Sequence, residues 1–246
     1  MDQYQIYLNT ILMLLGQIAA LVMILPILFA IVNLRYLNKA LKLMFWFSLI
    51  RLIVSISVQI IIWCVNKYKD FFIPILKFLD INSLDCMSIF AHLNYFGILG
   101  WYFYLVMENR NIKSLVKGIS ISLFIAALVN YLFIEGYKVQ SVFNSTVANI
   151  FCFVLPMIHL WYLYNQDSKV PISKNPYNWV SLGLVIPNLL GLITSLFGKK
   201  LEETDLTLYL QIEIAYSILQ IIGYILITIG FYYARYTKYM PKPTTQ

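Results

Sequence analysis

The last hydrophobic run, Leu206 to Tyr233, carries Glu213, Tyr216, Gln220 and Tyr224. Counted from Glu213, the others follow after 3, 7 and 11 residues, so all four share one helical face. A carboxyl, two phenols and an amide in one stripe can bind a polar solute, carry a proton or hydrogen-bond neighbouring helices. A carboxyl inside a membrane span is costly unless it faces protein or water, which makes Glu213 a functional residue by default. His92 is the expected partner, since an imidazole can accept or share its proton.

Other spans supply further polar groups. Asp85, Ser88, His92 and Tyr95 share one face of the third span. Gln17 on the first span and Asn149 on the fifth are expected at a depth similar to Glu213. Asn188 directly follows Pro187 near the middle of the sixth. Together they predict an outward-opening pocket for a small-molecule ligand or lipid headgroup, contacted by Glu213, His92, Tyr95, Tyr216, Asn149, Asn188, Gln17 and Asp85. Arg51 is expected about 12 Å in from the cytoplasmic edge, as an inner gate or an anion contact. A competing reading stays open, because amides and hydroxyls also join membrane helices at about 0.6 kcal/mol each.

No enzyme is expected. Two histidines on opposite sides of a membrane cannot build a zinc hydrolase site. There is no G-x-S-G serine, no Gly-rich phosphate loop, and no lysine within the last span to hold retinal. Cys64, Cys86 and Cys152 lack metal-ligand spacing. No cofactor and no metal are expected. A Cys64–Cys86 disulfide is topologically allowed, with free thiols the commoner alternative.

The elements that must position these groups are plain from composition. The chain has 246 residues, 61% hydrophobic and 12% charged. A soluble domain is nearer half apolar and a quarter charged. The apolar residues form runs long enough to cross the roughly 30 Å hydrocarbon core. The sequence predicts an all-α integral membrane bundle in a single domain, residues 1–246. Its seven spans are expected at about 7–34, 43–65, 83–107, 118–134, 142–164, 179–197 and 206–233. The N-terminus lacks a basic leader, so the first run is expected to be a retained helix, with a kink candidate at Pro26.

Loop charge sets the orientation. Arg35, Lys39, Lys42, Arg110, Lys113, Lys117, Lys169, Lys174, Arg235, Lys238 and Lys242 lie on one side, and only Lys67, Lys69, Lys77, Lys138, Lys199 and Lys200 on the other. The positive-inside rule places the first group in the cytoplasm, with the N-terminus outside and the C-terminus inside. The net charge of +7 is therefore a bilayer signal, and no nucleic-acid partner is expected. The stretch Phe71–Leu79 is too short to span and is expected to lie in the outer interface, with a lid as the alternative. Ile24-Leu25-Pro26 and Val154-Leu155-Pro156, with Trp46-Phe47-Ser48-Leu49 and Trp179-Val180-Ser181-Leu182, suggest a parallel 3+1+3 duplication of the kind some transporters use.

The layout resembles that of seven-helix receptors. Glu108-Asn109-Arg110 resembles their acid-Arg motif, but the Arg is displaced by one position and the last span has no Asn-Pro-x-x-Tyr. A chain rich in Ile, Asn, Lys and Tyr, with Phe143-Asn144-Ser145 opening the fifth span, also resembles small seven-helix proteins of AT-rich bacteria. Some bacterial seven-helix modules are sensor inputs. The resemblance implies a receptor-like protein of the bacterial cytoplasmic (inner) membrane, acting through a cytoplasmic or membrane signalling partner. A small-solute transporter of 3+1+3 type is the alternative.

Overall fold

The computed structural model describes residues 3–78, 87–136, 141–165 and 170–239, except for the side chains of 76–78. Asp85 and Cys86 lie outside these residues, so neither the Asp85 contact nor the Cys64–Cys86 bridge is addressed. Among the described residues every regular element is a helix. Seven are long and apolar enough to cross a membrane: α1 Gln3–Val32, α2 Lys39–Lys67, α3 Ser88–Val106, α4 Arg110–Ile134, α5 Val142–Tyr164, α6 Pro176–Thr204 and α7, whose helix proper is Leu206–Tyr232. Large apolar side chains such as Leu21, Val32, Ile60, Phe133 and Trp161 are exposed. In water that surface would be a liability; in a bilayer it is the lipid-facing wall.

Several spans start earlier than their apolar runs suggest, because polar caps begin them. Asn38, Asn109, Ser141, Asn175 and Asp205 each accept a backbone N–H from the first turn of α2, α4, α5, α6 and α7. These side chains satisfy donors that a helix N-terminus otherwise leaves orphaned. Asn109 is the middle residue of Glu108-Asn109-Arg110, so here that tripeptide opens α4 as a cap.

Three spans are irregular. α1 is broken by a turn at Met23 between Gln3–Val22 and Ile24–Val32. Pro26 explains the break: it has no N–H for the Val22 carbonyl, and its ring crowds the preceding turn. α3 widens into a π segment at Asn94–Leu99, and α4 ends in another at Asn130–Ile134. Between α2 and α3 the short helix Lys69–Phe78 exposes Phe71, Ile73 and Ile75, an apolar face suited to an interface.

The two ends of the bundle are packed differently. The side chain of Gln5 donates to Thr207 at 3.3 Å, and Thr237 donates to the Tyr36 carbonyl at 3.3 Å. α1 and α7 therefore run parallel and define an N-terminal end and a C-terminal end. The fully buried core sits toward the C-terminal end: Leu41, Met44, Phe103, Met107 and Phe231. Toward the N-terminal end burial is sparse along three helices. Over Gln3–Val22 only Leu8 and Ala19 are buried, α2 has no buried residue after Ser48, and α7 has only Leu210 before Gly223.

Candidate functional site

An enclosed chamber of about 20 Å³ lies near mid-length of the bundle, between the packed and the open ends. Five helices line it: α1 with Met23, α2 with Phe47, Ser48 and Arg51, α3 with Tyr95, α6 from Gly183 to Asn188, and α7 with Tyr216, Gln220, Gly223, Tyr224 and Ile227. A space of that size holds a water or two.

Among the described residues Arg51 is its only charged lining residue. The guanidinium carbon lies 5.3 Å from the centre of the Tyr95 ring, 5.7 Å from Tyr224 and 6.0 Å from Phe47. Its titratable neighbours among the described residues are Tyr224, Tyr95, Tyr216 and Cys152, with no carboxylate in that group. Each ring offers about 0.5–2 kcal/mol, and all three distances fall toward the long end of the useful range. Taking a cation out of water costs several kcal/mol. The rings therefore offset only part of that cost, and the site holds an excess of positive charge.

Backbone irregularity converges on the same chamber. The α1 break is at Met23, Tyr95 lies inside the α3 π segment, and Pro187 of α6 lacks the N–H that would bond the Gly183 carbonyl. That carbonyl faces α7 so closely that a Cβ on Gly223 would lie 2.6 Å from its oxygen. A Cβ on Gly183 would lie equally close to the Gly223 carbonyl, at 2.6 Å. Only glycine at both positions permits this crossing, which leaves room for Cα–H···O contacts across it. The Asn188 side chain donates back to the Leu184 carbonyl at 2.6 Å, one residue past the freed Gly183 carbonyl. In membrane proteins, irregular backbone at mid-depth persists where it is buried or lines a cavity.

The structure divides the residues expected to form one pocket. Tyr95, Tyr216, Asn188 and Arg51 line the chamber, as do Gln220 and Tyr224 of the α7 stripe. Glu213 does not; it is half-buried one turn nearer the open end, with Tyr209 and Tyr216 as its electrostatic neighbours. The expected Glu213–His92 pair is not formed. His92 is buried and shares a 3.3 Å hydrogen bond with the Ser145 hydroxyl, and its charged neighbour is Glu135. Asn149 donates to the Gly191 carbonyl at 2.8 Å, tying α5 to α6. It reaches the chamber only indirectly, since Gly191 packs against Tyr216. Gln17 is exposed on the outer surface of the bundle. Rotation about the helix axis depends on neighbours that periodicity does not reveal.

Arg51 also sits closer to the other polar groups than its expected depth implied. Its partners Tyr95 and Tyr216 were placed in the outer half; they meet it at mid-length.

A second polar cluster lies where α4 meets α5 at the N-terminal end. Glu135 accepts from the Asn130 amide at 2.7 Å, from the Ser141 hydroxyl, and from the Phe143 backbone N–H at 3.2 Å. Asn130 also donates to Ser141 at 3.0 Å, and Ser141 accepts the Asn144 N–H at 3.1 Å. Burial alone would raise the Glu135 pKa, but the bonds from Ser141, Asn130 and Phe143, with His92 nearby, hold it below the ordinary carboxylate value. This clasp closes the α4–α5 turn. A loop acid followed six residues later by a serine cap was its sequence signal.

A third polar group is His159, fully buried at the C-terminal end. It lies 2.8 Å from the Ser181 hydroxyl and edge-on to Phe103 and Tyr177. The Tyr177 hydroxyl accepts from the Asn38 amide, so the α2 and α6 caps are joined through the same network.

Among the described residues no three His, Cys, Asp or Glu side chains come together as metal ligands. Comparison with protein-family models, curated proteins and solved structures gave no match.

Proposed function

We propose that the chain is a receptor-like, sensor-type integral membrane protein that binds a small solute or lipid headgroup in the Arg51 chamber and acts through a partner. The observation that carries this reading is the meeting of one uncompensated cation with three helix irregularities around one cavity. π segments and broken helices are enriched at functional sites and give a helix two ways to pack. The chamber's closed side supports a sensor over a conduit. Toward the C-terminal end it abuts Leu41, Met44, Phe47 and Phe231, a dry packed core. Toward the N-terminal end burial is sparse along α1, α2 and α7, which suits access between those helices.

The charge bias, eleven bases against six, supports a cytoplasmic C-terminus. At that end Arg35, Lys174, Arg235 and Lys238 lie over the rings of Tyr36, Tyr232, Tyr236 and Tyr239. Such a basic aromatic collar suits anionic headgroups or an acidic partner. The bacterial cytoplasmic membrane is the setting that the sequence resemblance supports.

A small-solute transporter is the second reading. The break in α1 at the chamber favours it, because discontinuous helices at mid-depth bind substrate in several transporter folds.

Single cysteines at Ser88, Tyr95, Asn188 and Tyr216, in a chain lacking Cys64, Cys86 and Cys152, separate these readings in oriented vesicles. Labelling from the N-terminal side alone is the expected result for a sensor. Labelling of the same positions from either side would establish the transporter reading. Chamber positions that react from neither side would sink both.

A further inference from the structure

We propose that the chamber's ligand is a small monovalent anion, a halide or the carboxylate head of a larger molecule, held by the Arg51 guanidinium. The inference rests on the solute-binding reading above and gives it a chemical class.

The argument begins with charge. Among the described residues Arg51 is the one cation in the chamber wall, and its titratable neighbours there are three phenols and a thiol. Those groups are neutral at pH 7 in their ordinary states. Glu213, the intramembrane acid nearest in sequence to this wall, is not among the guanidinium's electrostatic partners. One uncompensated positive charge calls for one negative charge.

Donor chemistry points the same way. A guanidinium has five N–H donors and no acceptor. With Tyr95, Tyr224 and Phe47 near it as rings, its N–H edges remain to bind a ligand. Phenol hydroxyls of Tyr95, Tyr216 and Tyr224 can donate as well, with Gln220 within hydrogen-bonding reach of Tyr216. The Ser48 hydroxyl is already spent on the Met44 carbonyl, and one of the two Asn188 N–H donors on that of Leu184. A cationic ligand would meet Arg51 with like charge, and a neutral one would leave it uncompensated.

Size and wall polarity then narrow the class. About 20 Å³ admits one small anion, or the head of a longer molecule whose tail leaves toward the loosely packed end. Met23, Leu184, Pro187 and Ile227 complete the wall and offer nothing to rehydrate a second charge. A sulfate or phosphate dianion would bring a second charge that Arg51 alone does not balance, so the site favours halide and carboxylate.

The test uses the full chain purified in nanodiscs. Thermal unfolding midpoints are measured as sodium acetate, bromide or sulfate is titrated into a low-salt buffer, with the three salts compared at equal sodium. A ligand that binds only the folded state raises the midpoint in a saturable way. Acetate or bromide should do so and sulfate should not. Arg51→Gln should remove the rise, Arg51→Lys should keep it with affinity at least tenfold weaker, and Tyr95→Phe should weaken it severalfold. A response to acetate alone identifies a carboxylate head; an equal response to bromide identifies a halide-type site. The inference is overturned if no anion raises the midpoint, or if Arg51→Gln responds like the wild type. Should anions fail while the chamber cysteines still label from one side, the anion assignment falls and the solute-binding reading stands. If the cysteines fail too, both fall.

Discussion

Two charged side chains of this bundle, Glu135 and Arg51, are treated in opposite ways. Glu135 at the α4–α5 turn receives hydrogen bonds from Asn130, Ser141 and the Phe143 N–H. Arg51 at mid-depth is given aromatic rings and phenols but no counter-charge. The first arrangement is finished: its acceptor is satisfied locally and it holds two helices at one turn. The second is incomplete as protein alone. A satisfied polar cluster points to stability, whereas an unsatisfied one points to a ligand.

Mutations can break or sharpen that contrast. The largest effect is expected at the chamber floor. Gly223→Leu must push α6 and α7 apart, because even a Cβ there meets the Gly183 carbonyl at 2.6 Å. Overpacking of this kind costs about 3 kcal/mol, read as a lowered unfolding midpoint in detergent or nanodiscs. Wild-type stability in that variant would mean that the crossing is not tight.

The clasp comes next. Glu135→Ala leaves Asn130 and Ser141 without their acceptor and should cost about 1–2 kcal/mol, the lower figure if water replaces the bonds. Its pH dependence has a definite sign. Because the folded-state pKa of Glu135 is lowered, its contribution is present above the unfolded carboxylate pKa and is lost as pH falls through the folded value. Wild type should therefore lose stability on acidification through the carboxylate range, and Glu135→Gln should lose less. Parallel acid profiles in the two proteins would remove Glu135 from the clasp.

Arg51→Met should behave oppositely to Glu135→Ala. Removing an unsatisfied buried charge is neutral or stabilising by about 1 kcal/mol. Clear destabilisation in the absence of added anion would show that Arg51 is a structural group, and the contrast would collapse. The smallest effect is expected at Asn149→Ala, about 0.6 kcal/mol, as for one interhelical bond in a membrane protein. A loss several times larger, measured by the same unfolding assay, would connect the Asn149–Gly191 tie to the chamber through Tyr216.

Much of this was legible in the chain. Seven apolar runs mark the seven helices, and the fifth span, Val142–Tyr164, is read to the residue. Tyr216, Gln220 and Tyr224 share a face and do line one cavity. The rest depends on rotation and register. Gln17 is an amide expected in the pocket; its helix turns it outward. Glu213 drew attention as an acid within a span, yet it sits one turn short of the chamber. The π segment at Asn94–Leu99 has no sequence marker, although it carries Tyr95. The Glu135 clasp escapes periodicity because its partners Asn130 and Ser141 flank a turn whose geometry no helical repeat encodes.

The long helices carry one more implication. α2 has 29 residues with lysine at both ends, Lys39 and Lys67, and α6 also has 29. At about 1.5 Å per residue, such a helix is roughly 43 Å long, well beyond a hydrocarbon core of about 30 Å. It must tilt or protrude, and a bilayer of different thickness is met by changing that tilt. Arg51 rides near the middle of α2, on the helix that has to lean. The height of the guanidinium against Tyr95 and Tyr224 is thereby linked to the acyl-chain length of the surrounding lipid.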